Sequence, residues 1–499
     1  MKKPCFPLLR PILLLLAVSL PCAVSARVLN VCDDVAEPLT LDPLKQFSDK
    51  NYTLCWQIFD GLVRFDPDGR IEPALAVSWE RIEPTRMRFK LREGVRFHNG
   101  EPFDAASVKF SIERHLDPAT GFPGLYFVDS MDHAEIVDRS TVDIVTKYPD
   151  GLLLNRLAGL VLMLPPEYIK TKGGEYFARN PVGTGAFVFR KWEKNSYVQL
   201  TANKNYWLKG FPKVEGLTFK FIPYEKQVQA LLSGDVDLLT DLPGTQTLRV
   251  MASPRLAVTK KPTFYTMPVA LNLSSGPLSN VDVRKALNYA VDKESLVRYD
   301  LLGNGKAIAT LSMPGEAGHN PLLRPYGYDI EKARRLLEKA GYSKGFTLHV
   351  VIKKNAERAA KIMKANFGAI GVKLVTTTVP DSNLIDAVRS GKYDMIMGSS
   401  PDPMCHAYFI QAIVLASKSP FAVGGDLDFD SLLAKMVAAV DPEQSKRLAE
   451  EIDAYVHENA MSIFTYQKNM VYAYNKGLSF SPYVSGMPYF LSAEFTGRE

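Results

Sequence analysis

Long apolar runs are nearly missing from this 499-residue chain. Beyond the amino terminus nothing approaches the roughly 18 unbroken apolar residues that a bilayer crossing requires. Residues 152–164 come nearest, but Asn155 and Arg156 interrupt them, so the stretch reads as buried core. Catalytic signatures are missing too. There is no HExxH, CxxC, GxSxG or P-loop pattern, and seven histidines are scattered along the chain. His457-Glu458 lacks the second histidine that metalloprotease chemistry needs. These absences point away from an enzyme. An excess of one charge is lacking as well. The formal charge is +6, and +3 without Lys2, Lys3 and Arg10, with both signs interspersed. That argues against nucleic acid or an anionic membrane as partner. No low-complexity tract or internal repeat is visible.

What is present begins with an export signal. Lys2, Lys3 and Arg10 precede an apolar run from Leu13 to Leu20, and Val24-Ser25-Ala26 supplies small residues for cleavage. Residues 1–26 read as a secretory signal peptide, too short to be an anchor. Leu20-Pro21 before Cys22 disfavours a lipoprotein. The mature chain is expected to start at Arg27 in a Gram-negative periplasm. Cys32, Cys55 and Cys405 then remain, and three thiols cannot all pair within one chain. Cys32 and Cys55 could join in an oxidising compartment, while buried thiols are the simpler reading. About 470 residues exceed one hydrophobic core and should divide into two or three domains.

Local signals alternate between strand and helix. Val28 to Val31 reads as an opening strand, 51–62 as a helix ending at Gly61, and 87–91 as a strand. Asp104 can cap a helix over 105–115, and Pro118, Gly121, Pro123 and Gly124 force a loop. Gly341 follows the helical run YDIEKARRLLEKA, where a helix terminates well. Asp441, Pro442 and Gln444 form a capping box before a helix whose Leu448, Ile452, Tyr455 and Val456 share one face. Gly183 and Gly185 bracket Thr184 in a turn, with no third glycine or Lys-Ser/Thr to make a phosphate loop. The alternation argues for α/β lobes.

Three blocks carry a resemblance. The first, 52–114, contains Phe59-Asp60-Gly61-Leu62, Pro73 to Trp79, Leu91 to Gly100 and Pro102 to Val108. The second, 180–207, reads NPVGTGAFVFRKWEKNSYVQLTANKNYW, and the third, 270–299, reads ALNLSSGPLSNVDVRKALNYAVDKESLVRY. Together they resemble the peptide/nickel-type extracellular solute-binding proteins, the capture subunits of ABC importers. The resemblance implies an α/β fold like class II periplasmic binding proteins, two lobes around a cleft plus an extra subdomain. Lobe I would take 27–70, 182–270 and 476–499, subdomain II 71–181, and lobe III 271–475. It further implies a monomer without cofactor that captures a short peptide or peptide-like solute by clamshell closure and hands it to inner-membrane permease subunits. A weakly charged non-peptide solute, a metal chelate, or a sensory adaptor role stay open as alternatives. His98 would lie in the family's structural F-H-x-G turn.

The resemblance also places a cleft. The segment Gly398-Ser399-Ser400-Pro401-Asp402-Pro403-Met404-Cys405-His406 would enter it after a strand over 393–397. Peptide-binding members carry G-W-x-x-D-x-x-D-P there, and the first Asp neutralises the peptide's amino terminus. Counted back from Asp402-Pro403, this chain has Ile396 for that Trp and Ser399 for that Asp. The arginines of nickel-metallophore members are absent from 117–127 and 159–166. The expected ligand-binding residues are Phe47, Tyr52, Phe122, Tyr126, Ser399, Asp402, Met404 and His406, an aromatic and sulfur-rich set with few charges. Asp402, Cys405 and His406 are conceivable metal donors, though no metal is expected. Lys353, Lys354 and Arg358 are the candidates for a ligand's anionic end.

Overall fold

The computed structural model describes residues 27–33 and 37–496; the signal peptide read at 1–26 lies outside them. Among the described residues the chain builds a nine-stranded sheet, two four-stranded sheets and two two-stranded ribbons. In the first, the strand Val28–Cys32 runs parallel to Gly216–Lys220 and to Leu238–Leu239. Phe187–Glu193 and Tyr197–Ala202 extend it on one side, while Tyr466–Asn475 and Leu256–Thr266 extend it on the other. In the second, Phe346–Lys353 lies parallel to Val372–Val379 and Met395–Met397, and Val269–Leu271 closes the edge antiparallel. The third packs Ala76–Glu83, Arg86–Leu91, Thr141–Thr146 and Met131–Asp138 antiparallel. Its strand Arg86–Leu91 turns Met87, Phe89 and Leu91 inward and polar neighbours outward, the alternation of a half-buried strand.

The apolar side chains divide accordingly. One core joins the first sheet to the third. A separate core joins the second sheet to the helices Val281–Ala290, Ile330–Lys339 and Glu357–Gly368. The first core also takes in Ala270, Val351 and Ile396 from the other face of the second sheet, so the first and second sheets, the two main ones, share apolar contacts there. The chain crosses between the two main sheets several times: at 267–268, at 301–304, at 398–399 and before Tyr466. The crossing strand Tyr466–Asn475 bonds to the first sheet along its length, although it falls inside the interval 271–475 read as lobe III.

Local signals act where they were expected. Asp104 accepts from the Ala106 N–H at 3.0 Å and caps Ala105–Leu116. Asp441 accepts from the Gln444 N–H at 2.8 Å and caps Pro442–Glu458. Gly341 ends its helix with φ +84°, open to glycine without steric cost. The first helix differs: it is Asp49–Ile58 and stops before Gly61. Gly61 is needed for close approach instead, since a Cβ there would meet the Val63 and Val161 carbonyl oxygens at 2.8 and 3.1 Å. The Gly183–Gly185 turn is likewise pressed against the end of that helix, and Thr184 Oγ1 donates to Asp60. His98 fastens the same turn. It accepts the Gly183 N–H on Nδ1, so Nε2 donates to the Gly185 carbonyl, and burial pulls its pKa down to about 4. Cys32, Cys55 and Cys405 are buried thiols. No helix of the described residues is long and apolar enough to cross a membrane.

Candidate functional site

The crossings bring distant residues to one place. Asp300 ends the helical segment Leu296–Asp300 as the chain leaves the second sheet, and Tyr466 begins the strand that returns. Ser399 lies between Met395–Met397 and the short strand Ser400–Pro401, which pairs with Tyr265 and Thr266. The Tyr466 hydroxyl donates to Asp300 Oδ2 at 2.5 Å and also meets the Ser399 side chain. Burial, followed by the Asp300 charge, holds that phenol well above its ordinary pKa. Desolvation raises the Asp300 carboxyl, opposed by Tyr466, Arg358 and Lys468.

Charged groups from both bodies surround this chain. Lys468 Nζ reaches Asp241 of the first sheet's side at 2.6 Å and sits over the Tyr265 ring. From the second sheet's side, Arg358 Nη1 donates to the Asp300 main-chain carbonyl at 3.1 Å. Lys353 lays its stem against Gly398 and pairs with Asp381 at 3.2 Å. Asn355 holds the Ser399 backbone from both ends, accepting its N–H at 3.2 Å. The two bodies touch beside this set: a Cβ at Gly244 would meet Leu302 Cβ at 2.9 Å. Polar groups from the two main sheets thus gather at this crossing.

The residues expected from sequence separate into three places. Phe47, Tyr52, Phe122 and Tyr126 meet in one aromatic cluster with Phe127 and Phe409. Phe47 stacks on Phe127 at 5.7 Å and packs edge-on to Tyr52 and Phe122, and Tyr126 lies 5.1 Å from Phe127. Phe127 and Phe409 close to 4.6 Å. Tyr52 and Phe122 are buried, and the Tyr52 hydroxyl has no hydrogen-bond partner among the described residues. Asp402, Met404 and His406 are buried at a joint with the helix Leu153–Leu160. Asp402 spends its two oxygens on the backbone N–H groups of Met404 and His406, both at 2.7 Å. Asn155 binds the Met404 carbonyl at 2.9 Å, and Gly159 lets the Pro403 carbonyl approach. Burial and then Arg156 bring His406 down to about 4. No group of three or more metal-donor side chains among the described residues could hold an ion. Ser399 alone of the eight lies at the polar crossing.

Asp300, Tyr466, Lys468, Asp241 and Asn355 went unrecognised in the sequence. Their only common signal is tertiary, because Asp300 and Tyr466 are 166 residues apart. A pocket of about 40 Å³ lies elsewhere, lined by Trp56, Asp60, Arg64, Tyr483 and Tyr489.

Comparison with known proteins agrees with this architecture. A family model described as "Bacterial extracellular solute-binding proteins, family 5 Middle" matches residues 70–419. The glutathione-binding protein GsiB of Pectobacterium atrosepticum is 29% identical over 345 residues, covering 68% of this chain and 67% of its own. Heme-binding protein A of Haemophilus influenzae is 29% identical over 440 residues, 81% of this chain and 80% of its own. Among solved structures, the periplasmic binding protein DppA of Helicobacter pylori, in complex with the peptide STSA, superposes with a TM-score of 0.82. It is 22% identical and covers 94% of this chain and 98% of that one.

Proposed function

Because this chain belongs to the family 5 bacterial extracellular solute-binding proteins, we propose that it captures a short peptide or peptide-like solute in the periplasm. It then delivers that solute to the permease of an inner-membrane ABC importer. The observation that carries this reading is the meeting of Asp241, Lys468, Asp300, Tyr466 and Ser399 where the chain crosses between the two main sheets. A solute held there touches both bodies at once. Closure is then favoured by as much as the solute prefers the closed arrangement over the open one, and no more. No bond is made or broken in this cycle, and the protein acts as a monomer.

The division into lobe I, subdomain II and lobe III is part of this proposal; the third sheet, within 76–146, supports subdomain II, while Tyr466–Asn475 serves the first sheet. Peptide-like ligands are favoured because the site presents both signs of charge in balance. Names among the relatives include a glutathione-binding protein, and glutathione is itself peptide-like. The test is mass spectrometry of small molecules that co-purify with the periplasmic protein, followed by adding each back in a thermal melt. A bound solute raises the melting temperature by mass action. A peptide-like molecule that does so supports the reading. A shift produced only by heme or a metal chelate would refute the ligand class, and no co-purified or added solute would refute capture.

A further inference from the structure

We propose that Asp300 anchors a protonated amine of the captured solute, so that the ligands are peptide-like molecules with a free ammonium group. This rests on the solute-capture reading above and adds the residue that selects among solutes.

Asp300 is half-buried at the crossing, with Tyr466 on Oδ2 and no hydrogen bond to Oδ1 among the described residues. That oxygen is therefore open to a donor from a solute, and a charged N–H makes the stronger bond to a carboxylate. The two nearby cations do not meet that need. Arg358 gives its hydrogen bond to the main-chain carbonyl of Asp300 rather than to the carboxylate, and Lys468 gives its own to Asp241. Both act on Asp300 only through their charge. The Tyr466 hydroxyl fixes the carboxylate's rotation and leaves the open oxygen available. The same hydroxyl is shared with Ser399, a neutral side chain, and the other carboxylate of the set, Asp241, is already paired with Lys468.

The chemistry of the set narrows the ligand. One free carboxylate oxygen, with no cluster of three metal donors among the described residues, suits a hydrogen-bonding ammonium rather than a metal ion. An anionic head would meet Asp300 with like charge. When the lobes close, water leaves and the ammonium–carboxylate contact strengthens.

The experiment uses the mature protein with two probes: a mixture of di- and tripeptides that includes glutathione, and the same mixture after N-acetylation. Thermal melts identify binders, and calorimetry on the best single peptide gives its Kd for the native protein, Asp300→Asn and Tyr466→Phe. The free-amine mixture should raise the melting temperature and the acetylated mixture should not. Asp300→Asn should weaken the chosen peptide about tenfold or more, the size expected for a lost charged hydrogen bond. Tyr466→Phe should weaken it less. Equal binding of free and acetylated probes would overturn the assignment while leaving solute capture intact. So would native-like affinity in Asp300→Asn. If neither mixture binds the native protein, the peptide-like reading fails and the Asp300 assignment fails with it. The acetylation comparison needs only native protein, so a poorly folding variant does not protect the proposal.

Discussion

Replacing Arg156 with alanine should be among the most damaging single changes in the molecule. Its side chain is 1% exposed, inside the helix Leu153–Leu160. Its Nε donates to Asp150 Oδ2 at 2.8 Å, while Nη1 donates to the Phe127 carbonyl and reaches the Tyr408 hydroxyl. The guanidinium also lies over the Tyr408 ring at 4.8 Å. Three segments from different parts of the chain are thus tied to one group. Truncation leaves Asp150, itself fully buried, with Ser130 Oγ and the Leu152 N–H as the only donors to its side-chain carboxylate among the described residues. Breaking a buried ion pair from one side costs about 3–5 kcal/mol. Asp150→Leu in the Arg156→Met background should recover a good part of that loss, because an apolar pair leaves no charge stranded. The assay is urea unfolding of solute-free protein, followed by circular dichroism and tryptophan fluorescence, with coincident transitions required before a free energy is read. A loss below about 1 kcal/mol for Arg156→Ala would refute the reasoning, since only a solvated guanidinium could be removed so cheaply.

Three more outcomes follow from the same geometry. Glu316 and Asp402 are fully buried and bonded to each other, so one must carry a proton; burial and, for Glu316, the neighbouring charge push both carboxyls up. The folded state therefore holds a proton that the unfolded chain releases near pH 4, and stability falls as pH rises from there through the raised folded-state values. Glu316→Gln supplies a permanent donor, so its melting temperature should change less between pH 5 and 8 than that of the native protein; an equal slope in both proteins would place the titration elsewhere. Phe47→Ala opens the aromatic cluster and should cost about 1–3 kcal/mol in urea, while affinity for the peptide measured by calorimetry stays within about threefold. A large loss of affinity would move the solute from the polar crossing to the aromatic cluster. Gly345→Ala sets a Cβ 1.9 Å from the Gly371 carbonyl at φ +73° and should cost at least about 2 kcal/mol, with a neutral result excluding that tight turn.

Family blocks and short-range signals were legible because they concern neighbours in the chain. Asp104, Asp441 and Gly341 act on N–H or carbonyl groups within a few residues of themselves, so residue type and position suffice. The strand Val28–Cys32 declares itself by its run of apolar residues. Even here the first helix ended early, because what Gly61 answers to is Val161, a hundred residues away.

The candidate site was much less legible. Asp402 looked like a cleft carboxylate by its place after the strand, yet its oxygens bind the backbone two and four residues ahead. Phe47 and Phe122 looked like ligand-facing aromatics, and they touch each other. An apolar side chain carries the same sequence signal whether it faces a ligand or a neighbour.

The sequence by itself determined the class of molecule: a long α/β chain without membrane spans beyond its start, without catalytic motifs, and with family blocks of a solute-binding protein. Composition, periodicity and motif are local quantities, and they carry that much. Tertiary structure alone decided which polar groups meet at the crossing between the two main sheets. Asp300, Ser399 and Tyr466 arrive from three separate crossings, and Lys468 meets Asp241 across 227 residues. Partnership between such groups depends on how the sheets are stacked, which no window of sequence contains.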